Sequence, residues 1–136
     1  MNRRMLIGYQ LLIGVSDTLT GALLIVAPQL TLRLMLLDAP PAALIYISFI
    51  GAFVLSVGIV CLYGCFLAWK GRFGNRLEAV WLLTALTRAS VAIFVTVQVM
   101  AGALEPGWLT VAATDGACVL IQVLGLRRGW LSCAAV

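Results

Sequence analysis

Four long apolar stretches, residues 5–27, 42–69, 77–101 and 107–126, make up most of the chain, and short polar segments separate them. At about 1.5 Å per helical residue, each is long enough to cross a hydrocarbon core of about 30 Å. Their composition is apolar nearly all round, unlike the one-sided pattern of a surface helix in a soluble protein. The pattern predicts an all-α protein: a polytopic membrane four-helix bundle with up-down-up-down connectivity, occupying residues 1–136 as one transmembrane domain. The segment 28–41, PQLTLRLMLLDAPP, is too short to span. Pro28 suits a helix start, and Pro40-Pro41 stops one. Leu30, Leu34 and Leu37 share a face, which leaves Arg33 and Asp38 free to meet water. The segment reads as a short helix lying in the membrane interface, with an ordinary connecting loop as the alternative.

Polar and small residues inside the spans say which faces look inward. In the first span Gln10, Gly14, Asp17 and Gly21 fall on one face. Small residues there permit close helix approach, and the polar ones need partners away from lipid. In the second span Gly51, Gly58 and Cys65 recur every seven residues, the spacing of a close-packed seam. Ser56 can bond back to its own helix and needs no functional role. In the third span Thr84 and Arg88 share a face that turns apolar beyond the arginine, at Ala92 and Val95. Thr96 lies about a quarter-turn round from Arg88. In the fourth, Trp108, Ala112, Asp115, Cys118 and Gln122 share a face.

Arg88 sits in the middle of WLLTALTRASVAIFVTVQVM, where a lone charge costs several kcal/mol. Counted from the basic ends of their spans, Asp17 lies roughly 18 Å deep and Arg88 and Asp115 roughly 16 Å. One arginine fork can hold two acceptors, so the three charges are expected to meet. Counted from the 102–106 turn, Asp115 is about a helical turn nearer the opposite surface than Arg88. The arginine side chain also leans the other way, so the pairing does not follow from arithmetic alone. Asp17, Arg88 and Asp115, with Thr84 and Gln122 beside them, form the candidate intramembrane binding cluster. The same residues also suit a purely structural role, an ion pair that sets helix register, or contact with a partner subunit.

Composition sharpens this picture. Of 136 residues, 63% are hydrophobic and 10% charged, far from a soluble globular domain. The net charge of +4 comes from Lys and Arg at span ends, so it does not imply a nucleic-acid partner. Basic residues gather at the N-terminus, in the turn at 70–76 and at 127–128, whereas the opposite loops hold Arg33, Asp38 and Glu105. The positive-inside rule then predicts a multi-pass protein of the cell inner (cytoplasmic) membrane with both termini cytoplasmic. An aromatic belt would place Trp69, Trp81 and Trp130 at the cytoplasmic interface and Trp108 at the other. The N-terminal apolar run, with Arg3 and Arg4 before it, resembles a signal peptide. Asp17 interrupts it and no clear cleavage site follows, so it is read as a retained first span. There are four cysteines and no histidine, which excludes an ordinary His-ligated haem. Cys61 and Cys65 match neither a redox CxxC nor a zinc pattern, and neighbouring turns of one helix give poor disulfide geometry. No catalytic residue, metal ligand or cofactor is predicted.

YQLLIGVSDTLTGALLIVAP in the first span, LTLRLMLL after it and YISFIGAFVLSVGIVCLYG in the second resemble the DoxX-like group of small four-helix bacterial membrane proteins. The resemblance covers roughly the first half of the chain. It implies a membrane subunit associated with a redox enzyme and transfers no catalytic residue. Arg88 is not part of it. The expected function is therefore a non-catalytic integral membrane subunit or accessory protein of a larger complex. Its partners would be the lipid bilayer and either another membrane protein or further copies of the chain. The alternative is a small-molecule or lipid-binding transporter, or a membrane enzyme, that uses the Asp-Arg-Asp cluster. A homo-oligomeric channel ranks last, because VAIFVTV offers little polar lining.

Overall fold

The computed structural model describes residues 2–72 and 74–133, and among these the chain is helical with no strand. Helix α1 spans Arg3–Val26, and the Asn2 side chain caps it by accepting the Met5 N–H at 2.9 Å. Helix α2 is Pro28–Leu34, with the proline in its first turn, where a missing N–H costs nothing. Leu36 then takes φ 57°, rare for a residue with a Cβ. That left-handed step lets the Leu37 N–H reach back to the Leu32 carbonyl, 2.9 Å away, and sends the Leu37 side chain inward. Helix α3 (Leu44–Trp69) follows a 3-10 turn at Pro41–Ala43. Helix α4 is Asn75–Met100, and α5 (Leu109–Arg127) follows a second 3-10 turn at Pro106–Trp108. A short α6, Trp130–Cys133, ends the described chain.

Helices α1, α3, α4 and α5 are each long and apolar enough to cross a membrane. Their outward faces carry large apolar side chains, among them Leu12, Phe49, Leu82 and Ile93, each more than half exposed. In water so much apolar surface would aggregate. The molecule is built as a multi-pass membrane protein.

The most extensive packing joins α1 to α3. Its seam is glycine-lined because the backbones lie too close for side chains. A Cβ on Gly21 would come within 2.7 Å of the Leu55 Cα, and one on Gly58 within 2.9 Å of the Thr18 Cα. The expected seam at Gly51 and Gly58 is present, and it meets Gly14 and Gly21 of the partner helix. The Cys65 thiol lies 3.8 Å from the Ile7 carbonyl.

Helix α4 packs on α5, and α3 meets α4 over a shorter length. A ring of equal neighbours would put α5 against α1, but those two backbones make no extensive contact. Helix α1 reaches α4 through the Asp17–Arg88 pair and the Tyr9–Trp81 ring contact, and α5 through the Tyr9–Cys118 contact.

Two apolar clusters close the interior. Leu6, Leu67, Ala68, Leu77, Val80, Trp81 and Leu131 fill the end that carries the basic residues. There Arg3 donates to the Ala68 and Trp69 carbonyls and so caps the C-terminus of α3. Leu24, Leu32, Leu37 and Ile47, with Trp108 against them, fill the other end. Trp81 of the first cluster is enclosed rather than facing outward. It is 0% exposed and lies over Gly125, where even a methyl group would clash with its ring.

Candidate functional site

Between the two apolar clusters lies a polar middle. Arg88 of α4 is 5% exposed. One terminal nitrogen donates to a carboxylate oxygen of Asp17 on α1, and the other donates to Asp115 on α5. The Asp17 and Asp115 side chains keep 19% and 14% of their surface, so each acid lies at the edge of the interior and the arginine at its centre. The structure therefore joins the three mid-span charges into one triad across three helices. The arginine's reach overcomes the offset of about one turn between its own position and Asp115. Two carboxylates and one guanidinium leave a formal charge of −1.

Thr84 and Gln122 do not bond to the triad. Gln122 Nε2 donates to Thr84 Oγ1 at 2.8 Å, and that hydroxyl donates to the Val80 carbonyl at 2.7 Å. They form a separate α4–α5 bridge one turn away. Ser56 bonds back to Ala52 of its own helix, as expected, and Thr96 bonds back to Ala92. Cys61, Cys65 and Cys118 are free thiols. Among the described residues no group of His, Cys, Asp and Glu is arranged to hold a metal ion.

Several buried polar atoms near the triad have no hydrogen-bond partner within the chain. They are both amide atoms of Gln10, the Trp81 indole N–H, Gln122 Oε1, Arg88 Nε and the Tyr9 hydroxyl. The Tyr9 hydroxyl has only the Cys118 thiol beside it, and Arg88 lies next to the Cys61 thiol. Sulfur is a weak hydrogen-bonding partner in both cases. Gln10, Trp81 and Gln122 are essentially fully buried. A buried polar group left unsatisfied costs about 1–3 kcal/mol. The Gln10 amide rests directly over Gly64, whose missing side chain makes room for it. The Tyr9 and Trp81 rings touch, with centroids 5.6 Å apart.

Sequence reasoning put Gln10 on the inward face but did not count Gln10, Tyr9, Trp81 or Cys61 as site residues. A signal for the first and third was present. Gln10 precedes Asp17 by seven residues, Trp81 precedes Arg88 by seven, and Gln122 follows Asp115 by seven. Seven residues are two helical turns, so each triad residue has a second polar group beneath it on the same face. Compared with protein-family models, curated proteins and solved structures, the chain matches none of them.

Proposed function

We propose that the chain is a non-catalytic integral membrane protein, a subunit or accessory chain of a larger membrane complex, in which the triad locks helix register. The observation that carries this reading is the closure of the triad. Arg88 uses its two terminal nitrogens on two acids of the same chain, so the mid-span charges serve one another. The proposed arrangement is an up-down-up-down four-helix bundle with α2 in the interface. Both termini and the 70–76 turn would face the cytoplasm of a bacterial cell, following the basic-residue asymmetry. The DoxX-like resemblance of the first half supports a redox complex as the setting. The broad apolar faces of α3 and α4 offer room for a neighbouring membrane subunit as well as for lipid.

Purification in a mild detergent followed by intact-complex mass spectrometry tests the reading. A membrane partner present in fixed stoichiometry is expected. A lone chain or homo-oligomer carrying only lipid would overturn it.

One observation favours a second reading, a small-molecule or lipid-binding transporter. Gln10 Nε2 and Oε1, Trp81 Nε1 and Gln122 Oε1 are buried on the triad's side of their helices and have bonding capacity to offer. In that case Arg88→Ala would abolish ligand binding while assembly survives.

A further inference from the structure

Charged side chains divide unevenly between the two ends of the bundle. One end carries Arg3 and Arg4 of α1, Lys70, Arg72 and Arg76 around the α3–α4 turn, and Arg127 and Arg128 at the close of α5, with Glu78 as its acid. The other end holds Arg33, Asp38 and Glu105. Two of the cations at the basic end converge on the last turn of α3. Arg3 donates from Nε to the Ala68 carbonyl at 3.2 Å and from a terminal nitrogen to the Trp69 carbonyl at 2.6 Å. Lys70 follows directly, and its ammonium lies over the Trp69 and Phe66 rings, 5.1 and 5.9 Å from their centroids.

A bare helix C-terminus carries partial negative charge and repels an anion. Arg3 offsets that charge here by occupying two of the end carbonyls, and a guanidinium with five N–H groups keeps donors to spare. Lys70 rests on aromatic faces rather than on an acid. Among the described residues both ion pairs belong to Arg88, so an anion can meet Arg3 and Lys70 without breaking an existing pair. Toward the middle of the span, Ile59, Tyr63, Phe66 and Trp69 leave an exposed strip along the same side of α3 as Lys70. The strip is aliphatic at depth, aromatic near the helix end and cationic at the top. A phospholipid presents the matching order of acyl chain, ester region and phosphate.

We propose that the last turns of α3, together with Arg3, form a binding site for an anionic phospholipid. Its phosphate sits against Lys70 and Arg3, and an acyl chain lies along Phe66, Tyr63 and Ile59. A cation beside an anionic lipid surface favours it by about fivefold. A zwitterionic lipid gains less, because its own cationic group is drawn against the same two side chains. The site goes beyond the subunit reading and depends neither on it nor on which end of the bundle faces the cytoplasm.

The test is quenching of Trp69 fluorescence by brominated lipid, with the full chain reconstituted in phosphatidylcholine vesicles. A fixed fraction of the lipid carries bromine on its acyl chains, either as phosphatidylglycerol or as phosphatidylcholine. Both leaflets have the same composition, so the direction of insertion does not affect the result. Subtracting the signal of Trp69→Phe isolates Trp69 from the other tryptophans. Phosphatidylglycerol should bind about fivefold more tightly than phosphatidylcholine, and Arg3→Gln with Lys70→Gln should bring the two lipids level. Arg127→Gln with Arg128→Gln removes as much charge from the same end and should leave the preference in place. Equal quenching by the two lipids in the parent protein would overturn the proposal. So would a preference that survives the Arg3/Lys70 variant, or one that the Arg127/Arg128 variant removes equally, since that is the field of the whole end and not a site. If the Arg3/Lys70 variant fails to fold, because Arg3 also caps α3, Lys70→Gln alone decides, with a loss of preference of at least about twofold expected. Failure here leaves the subunit reading standing, since that rests on co-purification.

Discussion

Replacing Arg88 with leucine removes the one cation that holds two half-buried acids. The Arg88 side chain is 6% exposed, and its partners Asp17 and Asp115 keep 19% and 14% of their side-chain surface. Breaking a buried ion pair by deleting one partner costs about 3–5 kcal/mol, because the remaining charge stays desolvated. Here two acids are stranded, but each retains some access to its surroundings, which favours the lower half of that range. A loss of about 3 kcal/mol shifts the folding equilibrium roughly 150-fold. Arg88→Lys should fall in between, since one ammonium lacks the planar fork that reaches both acids. Replacing Arg88 with Leu together with Asp17 and Asp115 with Asn removes all the charge and should recover at least half of the loss. The assay is reversible unfolding in mixed micelles of graded denaturing-detergent content, followed by helix signal. Two results would refute the reasoning. One is a single-variant loss below about 1 kcal/mol, the value of an exposed pair. The other is a triple variant no more stable than Arg88→Leu.

Gly21→Ala should destabilise by about 1–3 kcal/mol, because the added methyl meets the Leu55 backbone, which cannot rotate away. Gly8→Ala has open space and should be neutral or stabilise by up to about 1 kcal/mol; thermal unfolding of the two side by side checks both. Cys61 and Cys65 should stay reduced, and an intact mass two units below the fully reduced value with both thiols blocked to alkylation would contradict this. Single-cysteine labelling should place the 70–76 turn on the cytoplasmic side and the 102–106 turn on the other. Arg72→Cys and Ala103→Cys are the better sites, since Gly74 and Gly102 have φ of 120° and 73° and a side chain there is strained. Reaction of Arg72→Cys with a reagent confined to the outside would reverse the orientation.

Four apolar helices of bilayer length and their inward faces were legible in the chain itself. Apolar runs of bilayer length leave the backbone no choice but helix, since each polar main-chain group must be satisfied internally. Proline and glycine marked the turns, and Gly14, Gly21, Gly51 and Gly58 marked the seam, because close approach demands small residues. The triad was legible for an energetic reason: an arginine at mid-span has few places to go, and Asp17 and Asp115 were the acids at its depth.

Tertiary structure decided the rest. That Trp81 is fully enclosed depends on Gly125 of α5 and Tyr9 of α1 arriving at one place. Which helices pack by backbone and which by side chain depends on the sum of volumes across three helices. Gln10, Trp81 and Gln122 belong to both. Their seven-residue offset from the triad is written in each helix separately, but which of their polar atoms find partners, as Gln122 Nε2 does at Thr84 Oγ1, is decided only once the helices stand side by side. Hydrogen bonding is short-ranged and directional, so whether a buried polar atom is satisfied depends on the few ångströms around it, which no spacing along a single chain specifies.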